Sequence, residues 1–119
     1  RSISGTGVNL NQERFYSDAP NPVSLCQITG NRYDVREILE QIMDKVADYY
    51  QRLKEGQTDL LETRYKEALY RKEGLHPFQD KNGQFQARIV DIEPNGRLIL
   101  EDAQGNIRGY LFKEVEYIL

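Results

Sequence analysis

The sequence has no tryptophan, one cysteine, one histidine and one methionine in 119 residues. Each scarcity removes a class of chemistry. Cys26 alone excludes an internal disulfide and fits a reducing compartment. It has no neighbouring His or basic residue to activate it, so it reads as a small apolar residue between Leu25 and Ile28. His76 has no Cys, Asp or Glu at ligand spacing and no serine placed to pair with it, which argues against a zinc site and a serine–histidine hydrolase alike. No apolar run approaches the ~20 residues that cross a bilayer. No basic block exists either: 16 Lys and Arg are interspersed with 19 Asp and Glu for a net charge of −3, so non-specific nucleic-acid binding is disfavoured. The length suits one domain or two small ones, each with a modest core.

The clearest element starts at Asp34, whose carboxylate can cap a helix with Glu37 placed to reach back. Val35, Ile38, Leu39, Ile42, Val46, Tyr49, Tyr50 and Leu53 then recur at helical spacing, and Gly56 suits a left-handed cap. The acidic residues between them read as a solvated face, not a metal cluster. The apolar stripe needs a sheet to lie against, and this sequence offers only one strand before it. A second helix starts at Thr58 or Asp59 and runs to Glu73-Gly74. Beyond it, turn signals at Lys81-Asn82-Gly83, Pro94-Asn95-Gly96 and Gln104-Gly105-Asn106 separate about five short strands, the pattern of a small SH3-like barrel or meander.

The stretch Ile3–Gln12 has strand character, but Gly5 and Gly7 sit two apart within it. Glycines so placed mark a bulge or a close approach to the backbone. By period-two parity Asn9 and Asn11 leave the same face as the glycines. That face, bare backbone followed by two carboxamides, suits a polar ligand lying flat, and it equally suits an irregular surface strand with solvated Asn residues. Glu13–Gly30, rich in Asn, Pro and Ser, reads as a connection.

The run Gly5-Thr6-Gly7-Val8-Asn9-Leu10-Asn11-Gln12 resembles the Gly-x-Gly-x-Asn-x-Asn-Gln stretch of biotin–protein ligases, the family that includes holocarboxylase synthetases. The segment Asn21-Pro22-Val23-Ser24-Leu25, the long helix, a second helix carrying Arg64-Tyr65, and a β-rich tail closing on Lys113-Glu114-Val115 follow in the family's order. The resemblance covers essentially the whole chain. It implies an α+β fold in which a strand and two helices, residues 1–73, end a class II synthetase-like catalytic domain, and residues 74–119 form an SH3-like C-terminal domain.

Two departures accompany it. Thr6 stands where the family often has an aliphatic residue. The family's Gly-Arg-Gly-Arg loop and its Lys-Trp-Pro-Asn-like segment with the catalytic lysine, both upstream of the glycine strand, have no match in this sequence. The chain therefore reads as a fragment of a longer protein, inactive alone.

The resemblance implies an enzyme that joins biotin to ATP, giving biotinyl-5′-adenylate and pyrophosphate with Mg²⁺, and then passes biotin to a lysine of a carboxylase carrier domain. Gly5, Gly7, Asn9 and, secondarily, Asn11 would form one wall of the ATP and adenylate site. Lys113 and Glu114 would lie at the site edge or between domains. No catalytic or metal-binding residue falls in this chain. A cytoplasmic location and a homodimer fit the same resemblance. The competing readings are a relative of lipoate ligases, which share the adenylation strategy, and a non-catalytic SH3-like docking module.

Overall fold

Short-range signals set most of the element boundaries. The structure, a computed structural model, describes residues 2–119 and packs as two units divided between Gln51 and Arg52. The first unit opens with Ile3–Gln12, which pairs with no strand among the described residues, contrary to the expectation of a strand. Its carbonyls are taken by a helix start instead: the Leu25 N–H donates to Asn9 O at 2.9 Å and the Cys26 N–H to Leu10 O at 2.8 Å. The first N–H groups of a helix have no partner within it, so a passing chain can satisfy them.

That helix, α1 (Leu25–Thr29), lies where a plain connection was expected. Ser24 and Gln27 form a reciprocal capping box, the Gln27 N–H donating to Ser24 Oγ and the Ser24 N–H to Gln27 Oε1. Gly30, at φ 76°, ends the helix in the left-handed region.

Next comes α2 (Val35–Lys54), for which Asp34 Oδ1 accepts the N–H groups of Arg36 at 2.8 Å and Glu37 at 3.0 Å. Gly56, at φ 77°, closes it, with the Gln57 N–H returning to Arg52 O. None of its residues is buried, and Val35, Leu39, Met43, Val46 and Leu53 are each more than half exposed. The apolar stripe read from the sequence is therefore present and uncovered.

The second unit contains α3 (Thr58–Glu67), which begins as expected and ends six residues early. The chain turns through Ala68 and into Arg71, whose φ of 56° no helix can contain. The sheet follows: β1 (His76–Asp80), β2 (Gly83–Ile92), β3 (Leu98–Asp102), β4 (Ile107–Tyr110) and β5 (Val115–Tyr117), all paired antiparallel in the order β4-β3-β2-β1-β5.

The five expected strands are there and, of the barrel or meander expected, form an open antiparallel sheet in which β4 and β5 are the two edges. A side chain reaches across instead: Tyr110 of β4 donates its hydroxyl proton to Asp80 Oδ2 of β1 at 2.7 Å. Phe78, Ala87 and Leu100 are fully buried, with Phe85, Ile89, Leu98, Tyr110 and Val115 packed around them. The ladder between β2 and β3 shifts at Val90, between Ile89 and Asp91, where an extra residue bends the strand. Asp91 there meets Lys66 of α3 at 2.7 Å.

Candidate functional site

The glycine run is open to solvent. A β-carbon built on Gly5 or Gly7 meets nothing within 4 Å, and neither glycine adopts a positive φ. Neither internal packing nor backbone conformation therefore calls for glycine at these two positions. Asn9 is exposed and only loosely held, its Nδ2 donating to Val23 O at 3.4 Å while its Oδ1 accepts from Gln12 Nε2 at 3.2 Å.

Asn11 behaves differently. Its Nδ2 donates to Tyr33 O at 2.7 Å and its Oδ1 accepts the Tyr33 N–H at 2.9 Å, so the carboxamide pairs with one residue's backbone as another strand would. The two amides expected to share one face are thus held differently: Asn9 is exposed with two longer hydrogen bonds, and Asn11 makes two shorter ones to the Tyr33 backbone.

Ser24 is the hub beneath them and the one buried residue of the first unit among those described. Its hydroxyl donates to Gln12 O while accepting the Gln27 N–H, and Cys26 Sγ lies 3.2 Å from it. Gln27 Nε2 donates to Glu13 O, so α1 grips both Gln12 and Glu13 by their carbonyls. Sequence reasoning places Ser24 in the family-like segment but not at a helix start, although a serine followed three residues later by glutamine is legible as one. Cys26, expected as a small buried apolar residue, is only half-buried and lies against the Ser24 hydroxyl and the Gln12 carbonyl.

In the second unit Lys113 and Glu114 lie in the β4–β5 turn and line a groove of about 790 Å³ with Asp80, Lys81, Arg108 and Tyr110. Lys113 holds a φ of 68°, a backbone that side chains disfavour, and its ammonium lies 5.6 Å from the centre of the Phe112 ring. Glu114 Oε2 accepts the Leu111 N–H at 2.7 Å, so its carboxylate closes its own turn.

Deeper in the groove Arg108 spans two aspartates, donating to Asp102 Oδ2 at 2.8 Å and lying 3.7 Å from Asp80 Oδ2, with its guanidinium 4.4 Å above Phe85. Asp102 also accepts the N–H groups of Gln104 and Asn106. The Asn106 amide is the largest influence holding its carboxyl down to about 2, with Arg108 adding to it. Asp80 is lowered chiefly by the Tyr110 hydroxyl, and burial raises the Tyr110 phenol. This network was not singled out from sequence. Its one local trace is Asp102 three residues before Gly105, the signature of a type I turn.

His76 Nε2 lies 2.7 Å from Glu73 O, a bond that steadies the entry to β1. Among the described residues no group of three His, Cys, Asp or Glu side chains is placed to hold a metal ion, and no helix is long and apolar enough to cross a membrane.

No family model matches the sequence, and no curated protein matches it. The fold does have solved counterparts. The apo biotin protein ligase from Aquifex aeolicus superposes at a TM-score of 0.68 and 17% identity, over 91% of this chain and 48% of that one. The same organism's ligase in complex with biotin and ATP gives 0.69 and 17%, over 92% and 48%. The chain thus spans about half the length of the ligase chains it resembles, and what it shares with them is the fold.

Proposed function

We propose that this chain is the C-terminal part of a biotin–protein ligase, which activates biotin with ATP as biotinyl-5′-adenylate and transfers it to a lysine of a carboxylase carrier domain. The observation that carries the reading is a coincidence of two independent signals. A run resembling the family's adenylate-site motif lies in a chain whose fold matches a biotin ligase over nine-tenths of its length. The uncovered stripe of α2 supports the same reading, since a helix apolar along one face requires a partner surface.

In this reading residues 1–73 end the catalytic domain and residues 74–119 form a terminal SH3-like module. Gly5 and Gly7 let the adenylate lie against bare backbone, which accounts for glycines that the chain's own packing does not need. Asn9 keeps an exposed carboxamide able to donate to a phosphate or accept from the nucleotide. Asn11 acts one step back, by fixing the segment to Tyr33. Lys113 and Glu114 remain candidates for the site edge or for an interdomain position. Magnesium accompanies ATP to offset the charge of the triphosphate, and the described residues supply no cluster to hold it. The catalytic lysine and arginine loop belong to the remainder of the protein, which works in the cytoplasm and is able to form a homodimer.

The test is biotin-dependent ATP–pyrophosphate exchange by the intact polypeptide, with the 119-residue chain alongside. Exchange by the first and none by the second is the expected result; none by either sinks the ligase reading. Within an active enzyme, Asn9→Ala raises the KM for ATP about tenfold, the worth of one hydrogen bond to a charged group, and leaves folding intact. Gly7→Val nearly abolishes exchange by placing two methyls in the path of the ligand.

A further inference from the structure

The strand β5 has three residues and one neighbour, β1. So short a ladder gives an edge strand little hold of its own. At its end the Ile118 N–H donates to Pro77 O at 3.2 Å, and Arg71 bridges the same place. Its Nη2 donates to Ile118 O at 2.8 Å and its Nη1 to Pro77 O at 3.3 Å, so one planar guanidinium holds a carbonyl from each side of the β1–β5 pair. The side chain passes 5.2 Å from the centre of the Tyr70 ring, and that ring lies 5.8 Å from Tyr117 of β5.

The backbone of Arg71 sits at φ 56°, where glycine would rest without strain. The local backbone thus gives no reason for an arginine at this position. The two carbonyls do. β5 and the turn before it carry Lys113, Glu114 and Glu116, which line the groove together with Asp80 and Asn82.

We infer that Arg71 is a latch that seats β5 on β1 and so sets the position of the groove wall bearing Lys113 and Glu114. Released, β5 lifts from the edge of the sheet and the groove widens. Arg71 is a positioning residue for β5, and its hold on that strand does not depend on the ligase reading.

Hydrogen exchange on the intact polypeptide tests the latch. Arg71→Met keeps an unbranched apolar stem in place of the arginine's and removes its donors. Exchange across residues 113–119 then quickens about tenfold, the scale of losing one net hydrogen bond from a locally opening segment, while β2 and β3 keep their protection. Arg71→Gly relaxes the backbone and still frees β5, and Arg71→Lys, with a single point donor group, recovers part of the protection. Unchanged exchange over residues 113–119 in Arg71→Met, equal acceleration throughout the sheet, or an Arg71→Gly chain as protected as the parent would each overturn the latch. A parent without pyrophosphate-exchange activity removes the ligase reading, and the hydrogen-exchange result still decides the latch.

Discussion

The two units are held together by different physics. The sheet unit has a dry centre of Phe78, Ala87 and Leu100, bracketed by stacked and tilted aromatic rings, Phe78 lying 5.0 Å from Tyr117 and 6.1 Å from Phe85. The unit before it has no apolar residue buried among those described. Its order rests on hydrogen bonds around Ser24 and Asn11, while the apolar face of α2 stays in water. Burial of apolar surface is the main favourable term in folding, and a region that buries a serine and leaves seven large apolar side chains of one helix exposed gains little of it.

Breaking the sheet should have the largest effect. Phe78→Ala removes the centre of the aromatic cluster and costs about 3–5 kcal/mol, measured by denaturant unfolding followed through tyrosine fluorescence. A loss below about 1 kcal/mol would mean that the sheet is not the stable half.

In the hydrogen-bonded unit the sensitive position is Asn11. Truncation to Ala leaves the Tyr33 N–H and C=O without their partner and costs that unit about 1–3 kcal/mol, read as faster hydrogen exchange at Tyr33 with the sheet unaffected. Equal loosening of the sheet would show that the two regions are not separately stabilised.

The acid response distinguishes them further. Asp102 titrates near 2 when folded, against an ordinary value of 3.8. A carboxyl lowered by folding stabilises the sheet fully above its unfolded value, and that contribution fades as pH falls from about 4 to about 2. The unfolding midpoint of the parent should therefore drop across this window, with Asp102→Asn showing a lower midpoint and a flatter pH dependence. A parent curve flat between these values would contradict the network around Arg108.

The smallest effect belongs to α2. Leu39 is 55% exposed, so Leu39→Gln in the 119-residue chain changes stability by no more than about 0.5 kcal/mol. In the intact polypeptide the same substitution should be clearly destabilising, and equal effects in the two would remove the case for a covering surface.

Much of the architecture is written locally. The period of apolar residues from Val35 to Leu53, the Asp34 cap and Gly56 are enough to define α2, because a helix needs only neighbours three and four residues away. The glycine-bearing turns separate the strands for the same reason. Ser24 and Gln27 are equally local, and α1 is obscured only by Pro- and Asn-rich surroundings that read as a loop.

What tertiary structure decided is everything that joins residues distant in sequence. Alternation in Ile3–Gln12 suggested a strand, but a strand exists only where another chain accepts its hydrogen bonds, and here α1 takes them. Parity put Asn9 and Asn11 to one use, and Tyr33, 22 residues from Asn11, separated them. Arg71 finds its acceptor 47 residues away in Ile118, and Tyr110 finds Asp80 across 30, pairings with no trace in any local pattern. Composition and spacing settled which segments could be helix or strand. The closing of the chain on itself settled which polar groups pair tightly across the sequence, as Asn11 does with Tyr33, and which, like Asn9, stay exposed with longer hydrogen bonds.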